Sequence, residues 1–169
     1  MRRPPPLRKN GPKRRAQVIS RLILFISAKI KEIFRLGREY PWPRPEICPG
    51  CRQSGVWGHG YVQGYFDGFD EGIYLKRYRC PGCGCVIRLR PKGYFSRFQA
   101  PIDAIRSSLS RRIRHGRWPP GVSRSRQGHW LRALRRKISA YLGQGWKDRL
   151  LEGFDHLLAR GINPVSRSI

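Results

Sequence analysis

"YRCPGCGCVIRLR", residues 78–90, places Cys80, Cys83 and Cys85 between two basic, strand-like runs. An upstream stretch, "ICPGCRQSG" at 47–55, carries Cys48 and Cys51 in the same Cys-Pro-Gly-Cys spacing. In such a knuckle two thiolates reach one ion while N–H groups of the turn point at the sulfurs. Two knuckles 28 residues apart complete a tetrahedral all-thiolate site, the arrangement zinc adopts in closed structural positions. Cys48, Cys51, Cys80 and Cys83 are therefore expected to hold one structural Zn2+. Cys85 follows Gly84, where the chain leaves the knuckle as a strand, and is expected to stand outside the ligand set. Cys85 and His59 remain the replacement ligands that the sequence leaves open. A catalytic zinc needs an open coordination position, and four thiolates imply none.

Around the knuckles, residues 40–98 read as a zinc ribbon of short antiparallel strands. "VWGHGYVQGYF" and "IYLKRYRC" are aromatic and β-branched, Gly and Asp punctuate them, and "VIRLR" alternates apolar with basic side chains. Downstream, 99–160 reads as helical. Pro101 starts a helix with Ile102, Ile105, Leu109 and Ile113 on one stripe, stopped by Gly116. "RWPPGV" is a stiff turn. Ser123 then caps a helix running to about Leu142, with Trp130, Leu131, Leu134, Ile138 and Tyr141 on its buried side. A last helix is expected over about 146–160, and 161–169 as a loose tail.

Upstream, residues 1–16, "MRRPPPLRKNGPKRRA", are basic and proline-broken and read as a disordered arm that touches nucleic acid, Arg14 and Arg15 among its contacts. Residues 17–39 read as an amphipathic helix, because Ile19, Ile23, Ile26, Ile30, Ile33 and Phe34 recur at three- and four-residue steps. Leu24 and Phe25 fall off that stripe, which implies cover on two sides. The apolar run "LILFISA" is too short to span a bilayer, which takes about 20 residues. No export signal is read, so a cytoplasmic location is expected, nucleoid-associated in a prokaryote. An Arg-rich, acid-poor start also resembles an organellar transit peptide. The fold class implied is a small α+β protein: arm and helix, four-cysteine ribbon, then a helical segment.

Charge narrows the partner. With 36 Lys plus Arg against 10 Asp plus Glu, the formal charge is +26. Such an excess repels itself unless a polyanion answers it. Nucleic acid is the usual one, and arginine suits phosphates and guanine edges better than lysine. Across 101–142 there are eleven Arg/Lys and a single acid, Asp103. On the helix beginning at Arg124, with Leu134 at the centre of the buried side, Ser125, His129, Arg132, Arg136 and Ser139 fall opposite, Arg135 at their edge. That face, with Arg124 and Arg126, is the expected reader of a DNA groove. Arg106, Arg111, Arg112 and Arg114 on the preceding helix are expected at phosphates. No enzyme is read, because Asp67, Asp70 and Glu71 are the only tight carboxylate group and sit in a Gly-rich loop.

The order "KRYRCPGCG" followed by "RFQAPIDAIRSSLSRRI" resembles the zinc ribbon and helix-turn-helix region of insertion-sequence-type transposases, over about residues 44–142. Arg52 stands where a glycine often follows the first knuckle, Cys85 is extra, and the catalytic part of such enzymes has no counterpart. The resemblance implies a double-stranded DNA-binding component or accessory of a mobile element, with a recombinase or other mobile-element protein as partner. Two other classes compete. One is an RNA-binding, ribosome-associated zinc-ribbon protein with Tyr61, Tyr65, Phe66, Tyr74 and Tyr78 as stacking surfaces. The other is a protein adaptor or transcription regulator. Target site and oligomeric state are not encoded legibly.

Overall fold

The computed structural model describes residues 21–167. Its elements run β1 (Arg21–Ile26), α1 (Ile30–Leu36), a 3-10 turn (Gly37–Glu39), β2 (Trp57–Gly64), β3 (Ile73–Arg79) and β4 (Val86–Pro91). Three helices follow: α2 (Ile102–His115), α3 (Arg124–Tyr141) and, after a 3-10 turn at Gln144–Trp146, α4 (Leu150–Ala159). The result is a small α+β protein, with one mixed sheet followed by a helical layer. No helix among the described residues is long and apolar enough to cross a membrane.

The sheet order is β1-β4-β3-β2. β2, β3 and β4 form an antiparallel meander, and β1 lies parallel to β4, from Arg21 opposite Val86 to Ile26 opposite Pro91. This corrects the helix expected over 17–39. Residues 21–26 are a strand, only 30–36 are α-helical, and 17–20 lie outside the described residues. Two periodicities overlap in this stretch. The isoleucines repeat at helical steps, but Leu22, Leu24 and Ile26 alternate, and all three pack into the core of the ribbon. Pairing with β4 satisfies the backbone and buries that alternate set together. A seven-residue helix from Ile30 then buries Ile33, which is 0% exposed, against the other end of the sheet.

The ribbon is therefore not self-contained over 40–98. It takes an edge strand from upstream, and Phe95 and Phe98 already belong to the helical core. That core joins Ile105 and Leu109 of α2, Trp130, Leu134 and Ile138 of α3, and Leu150, Phe154 and Leu157 of α4. Ile162 and Val165 also pack there, and Asn163 Oδ1 accepts a hydrogen bond from the Val165 N–H. The tail is thus anchored through its described part rather than loose. The expected stripe on α3 also needs two changes. Tyr141 is 40% exposed, while Gln127 and Lys137 are buried. Gln127 earns its place by bonding: its amide donates to the Pro119 and Val122 carbonyls, and its Oε1 accepts from Ser108 Oγ at 2.5 Å. One side chain thereby ties α3 to α2 and to two carbonyls of the connection between them.

Two arginines join the layers. Arg90, on β4, is buried, donates to the Phe98 carbonyl and lies 4.7 Å from the centre of the Phe66 ring. Burial, and then the nearby Arg88, hold its pKa below the usual guanidinium value. Arg126, in the first turn of α3, meets Asp67 of the β2–β3 loop at 3.0 Å. Asp67 is therefore a tie between layers.

α4 crosses α3 closely at Gly153. A Cβ there would stand 2.6 Å from Ile138 Cδ1 and 2.9 Å from its Cγ1. Ile138 is buried and has little room to give. Gly153→Val is expected to lower stability by about 1–3 kcal/mol, despite removing a helical glycine. Urea denaturation checks this, and an unchanged midpoint would mean that the helices separate without cost.

Candidate functional site

The two knuckles are the same turn built twice. Arg52 N–H donates to the Cys48 carbonyl at 2.8 Å, and Gly84 N–H to the Cys80 carbonyl at 3.0 Å. Both residues have left-handed backbone, φ 65° at Arg52 and 70° at Gly84. Arg52 occupies the conformation that glycine normally takes, at a local cost of about 1–2 kcal/mol. The first knuckle sits in the chain between α1 and β2, and the second is the β3–β4 turn.

These turns bring together the four expected ligands. The Sγ atoms of Cys48, Cys51, Cys80 and Cys83 all lie within 4.8 Å of one another. Cys48 and Cys83 are 3.7 Å apart, and Cys51 and Cys80 3.5 Å. A tetrahedron with metal–sulfur bonds of about 2.3 Å has sulfurs roughly 3.8 Å apart, so the cluster fits a four-thiolate metal ion with little adjustment. Burial opposes ionisation of Cys48, but N–H groups of Cys51 and Gly50 and the thiols of Cys85 and Cys83 bring its pKa down to about 6. At Cys51 the Gln53 N–H pulls downward, while the neighbouring sulfurs, Cys80 foremost, push the pKa up to about 11. One thiolate is favoured and the next is opposed, which is what a cation would relieve.

Cys85 is buried, with its Sγ 3.3 Å from that of Cys48, yet it is not within the four-sulfur group. It stands beside Cys48 as a hydrogen-bonding neighbour. His59 is not in the group either.

The basic residues separate into two kinds. Three of the expected contacts are committed internally. Arg106 makes a two-pronged pair with Asp155 of α4, at 2.7 and 2.5 Å. Arg112 donates to the Gly116 carbonyl and lies over the Trp118 ring, and Arg126 is held by Asp67 and lies over Trp130. Each of these three has an acceptor or ring within the fold. By contrast, Arg124, Arg132, Arg135 and Arg136 on α3 are exposed, as are Arg111 and Arg114 on α2. None of these six makes an ion pair or side-chain hydrogen bond among the described residues. Arg14 and Arg15 lie outside the described residues.

Two cations escaped the sequence reading. Arg167 approaches the outer face of α3 closely enough that it, with Arg132 and Arg136, opposes protonation of His129, whose pKa is lowered first by burial and then by these charges. Reading the tail as loose hid it, and only the packing of Val165 brings it there. Arg117 sat inside a proline turn with no pattern to mark it. The α2–α3 connection, residues 116–123, is also longer than the 3–4 residues usual in a helix-turn-helix.

Of the proposed stacking aromatics, Phe66 and Tyr78 are buried. Tyr74 lies under Arg38 at 4.5 Å and Tyr61 under Lys76 at 4.3 Å, so only Tyr65, 60% exposed, is left open. Comparison of the chain with protein-family models, with curated proteins and with solved structures found no match to any of them.

Proposed function

We propose that this chain is a non-catalytic nucleic-acid-binding protein, stabilised by one zinc ion, whose α3 face engages double-stranded DNA. The observation that carries the reading is the row of exposed arginines on α3, Arg124, Arg132, Arg135 and Arg136, with His129 beside them, none of the four in an ion pair among the described residues. A buried back formed by Trp130, Leu134 and Ile138 holds that row rigid. Such a face suits a major groove, while the overall charge of +26 supplies the non-specific attraction to phosphates. Zinc is the metal of choice for four thiolates arranged this way. Its role is to hold the ribbon, against which Arg126 and Arg90 dock the helical layer. The resemblance to insertion-sequence transposases supports a mobile-element setting, with a recombinase as partner. The partial capping of the ribbon aromatics favours duplex DNA over stacked single-stranded RNA.

A salt titration comparing duplex DNA, single strands and structured RNA tests the proposal. Duplex binding should persist to the highest salt, and selection from random duplexes should return a motif. A flat selection beside tighter binding to structured RNA would overturn it.

His129 offers a second readout. In the free protein its lowered pKa means that stability from its neutral form is present above about pH 6.5 and is lost as the pH falls. A bound phosphate chain reverses the local field and raises that pKa, so binding takes up a proton. Duplex affinity should therefore rise as the pH falls from about 7 to about 5.5, more than in His129→Gln. Fluorescence anisotropy at fixed salt measures this, and parallel profiles for the two proteins would remove His129 from the interface.

A further inference from the structure

We infer that the outer face of α2 is a second nucleic-acid-binding surface, separate from α3, so that one chain holds two duplex segments at once. The inference rests on the nucleic-acid reading above and extends it. An open groove of about 810 Å³ runs along α2, lined by Arg106, Ser107, Ser110, Arg111, Arg114, His115 and Arg117. Its chemistry is that of a phosphate track: guanidinium groups, two hydroxyls and an imidazole. The carboxylates near α2 gather at one end, where Asp155 pairs with Arg106 and Asp103 also acts on it. From Arg111 to Arg117 no acid lines the groove.

Helix geometry separates this face from that of α3. α2 turns Ile105, Ser108 and Leu109 into the shared core, so Ser107, Ser110, Arg111 and Arg114 fall on its far side. α3 turns Trp130, Leu134 and Ile138 into the same core, which places Arg132 and Arg136 on its own far side. Helices that share one centre turn their outer faces in different directions, which lets each face meet a duplex segment of its own. Compensation of the helix dipole accounts for basic residues in the last turn of α2. It does not require Arg111, just before that turn, and does not account for Arg117, beyond the helix end.

A capture assay tests this with the full-length, metal-loaded protein. One duplex is immobilised, protein is bound, and a second, labelled duplex is added. The wild-type protein should retain the label. The combined Arg111→Gln, Arg114→Gln and Arg117→Gln variant should lose at least about tenfold of the captured label, a larger loss than it suffers in binding a single duplex, because the α3 contacts remain. Circular dichroism and metal content confirm that it is folded, and sedimentation confirms an unchanged mass. Capture that survives in this variant overturns the inference, because a dimer presenting two α3 faces would then be the bridge. So does a variant that loses single-duplex binding as severely as Arg132→Ala with Arg136→Ala, since both faces would then serve one duplex. A wild-type protein that binds one duplex but captures no second one overturns the inference while leaving the parent reading intact. Failure to bind even one duplex removes both.

Discussion

The Cys48→Ser variant is expected to lose its metal and leave the ribbon unfolded at any temperature. Cys48 is completely buried, and its Sγ is in contact with Cys83 and Cys85 and receives the Gly50 N–H at 3.3 Å. The knuckle thiols share a core with Ile26, Val56, Tyr78, Ile87 and Leu89, and a bound ion would add on the order of 10 kcal/mol in modules of this kind. The damage should spread. Arg90 and Asp67 hold the helical layer to the ribbon, so helix stability should fall as well. Metal analysis and thermal melting in the presence and absence of a chelator measure both effects. Cys85→Ser is the control: it should retain one zinc per chain and melt only modestly lower, since its sulfur neighbours a ligand without joining the set. If Cys85→Ser loses zinc while Cys51→Ser retains it, the ligand assignment is wrong.

The second large effect is expected at Arg132 and Arg136, one helical turn apart on the outer face of α3. Arginine contacts to base edges discriminate by about 1–3 kcal/mol each, whereas phosphate contacts carry no direct sequence information. Arg132→Ala combined with Arg136→Ala should abolish preference for the selected duplex while much of the salt-sensitive background persists. Arg126→Ala makes the informative contrast. Its guanidinium faces Asp67 and Trp130, so the change should lower thermal stability and leave sequence preference alone. Competition between selected and random duplexes separates these outcomes. Equal losses of preference in Arg126→Ala and in the Arg132/Arg136 variant would place the reading face elsewhere on the helix.

Some of this was legible without any fold. Two identical Cys-Pro-Gly-Cys turns need only local geometry to become knuckles, and four thiols at that spacing have few other uses in a basic chain. Ser123 accepts a hydrogen bond from the Arg126 N–H at 3.3 Å, as a capping residue should, and α2 and α3 begin and end within a residue or two of the limits set by proline, serine and glycine. Those signals are short-range, and sequence states them directly.

What tertiary structure decided was every choice that depends on a distant partner. Residues 21–26 satisfy a helical and a strand pattern together, and β4, some 60 residues downstream, settles the matter by offering a free edge. The arginines of 101–142 look alike in sequence. Arg106, Arg112 and Arg126 find internal partners only because Asp155, Gly116 and Asp67 arrive beside them. Arg167 enters the basic surface because Val165 is buried in the helical core. Charge in a sequence is a quantity without direction, and packing gives each positive group either a partner or a face.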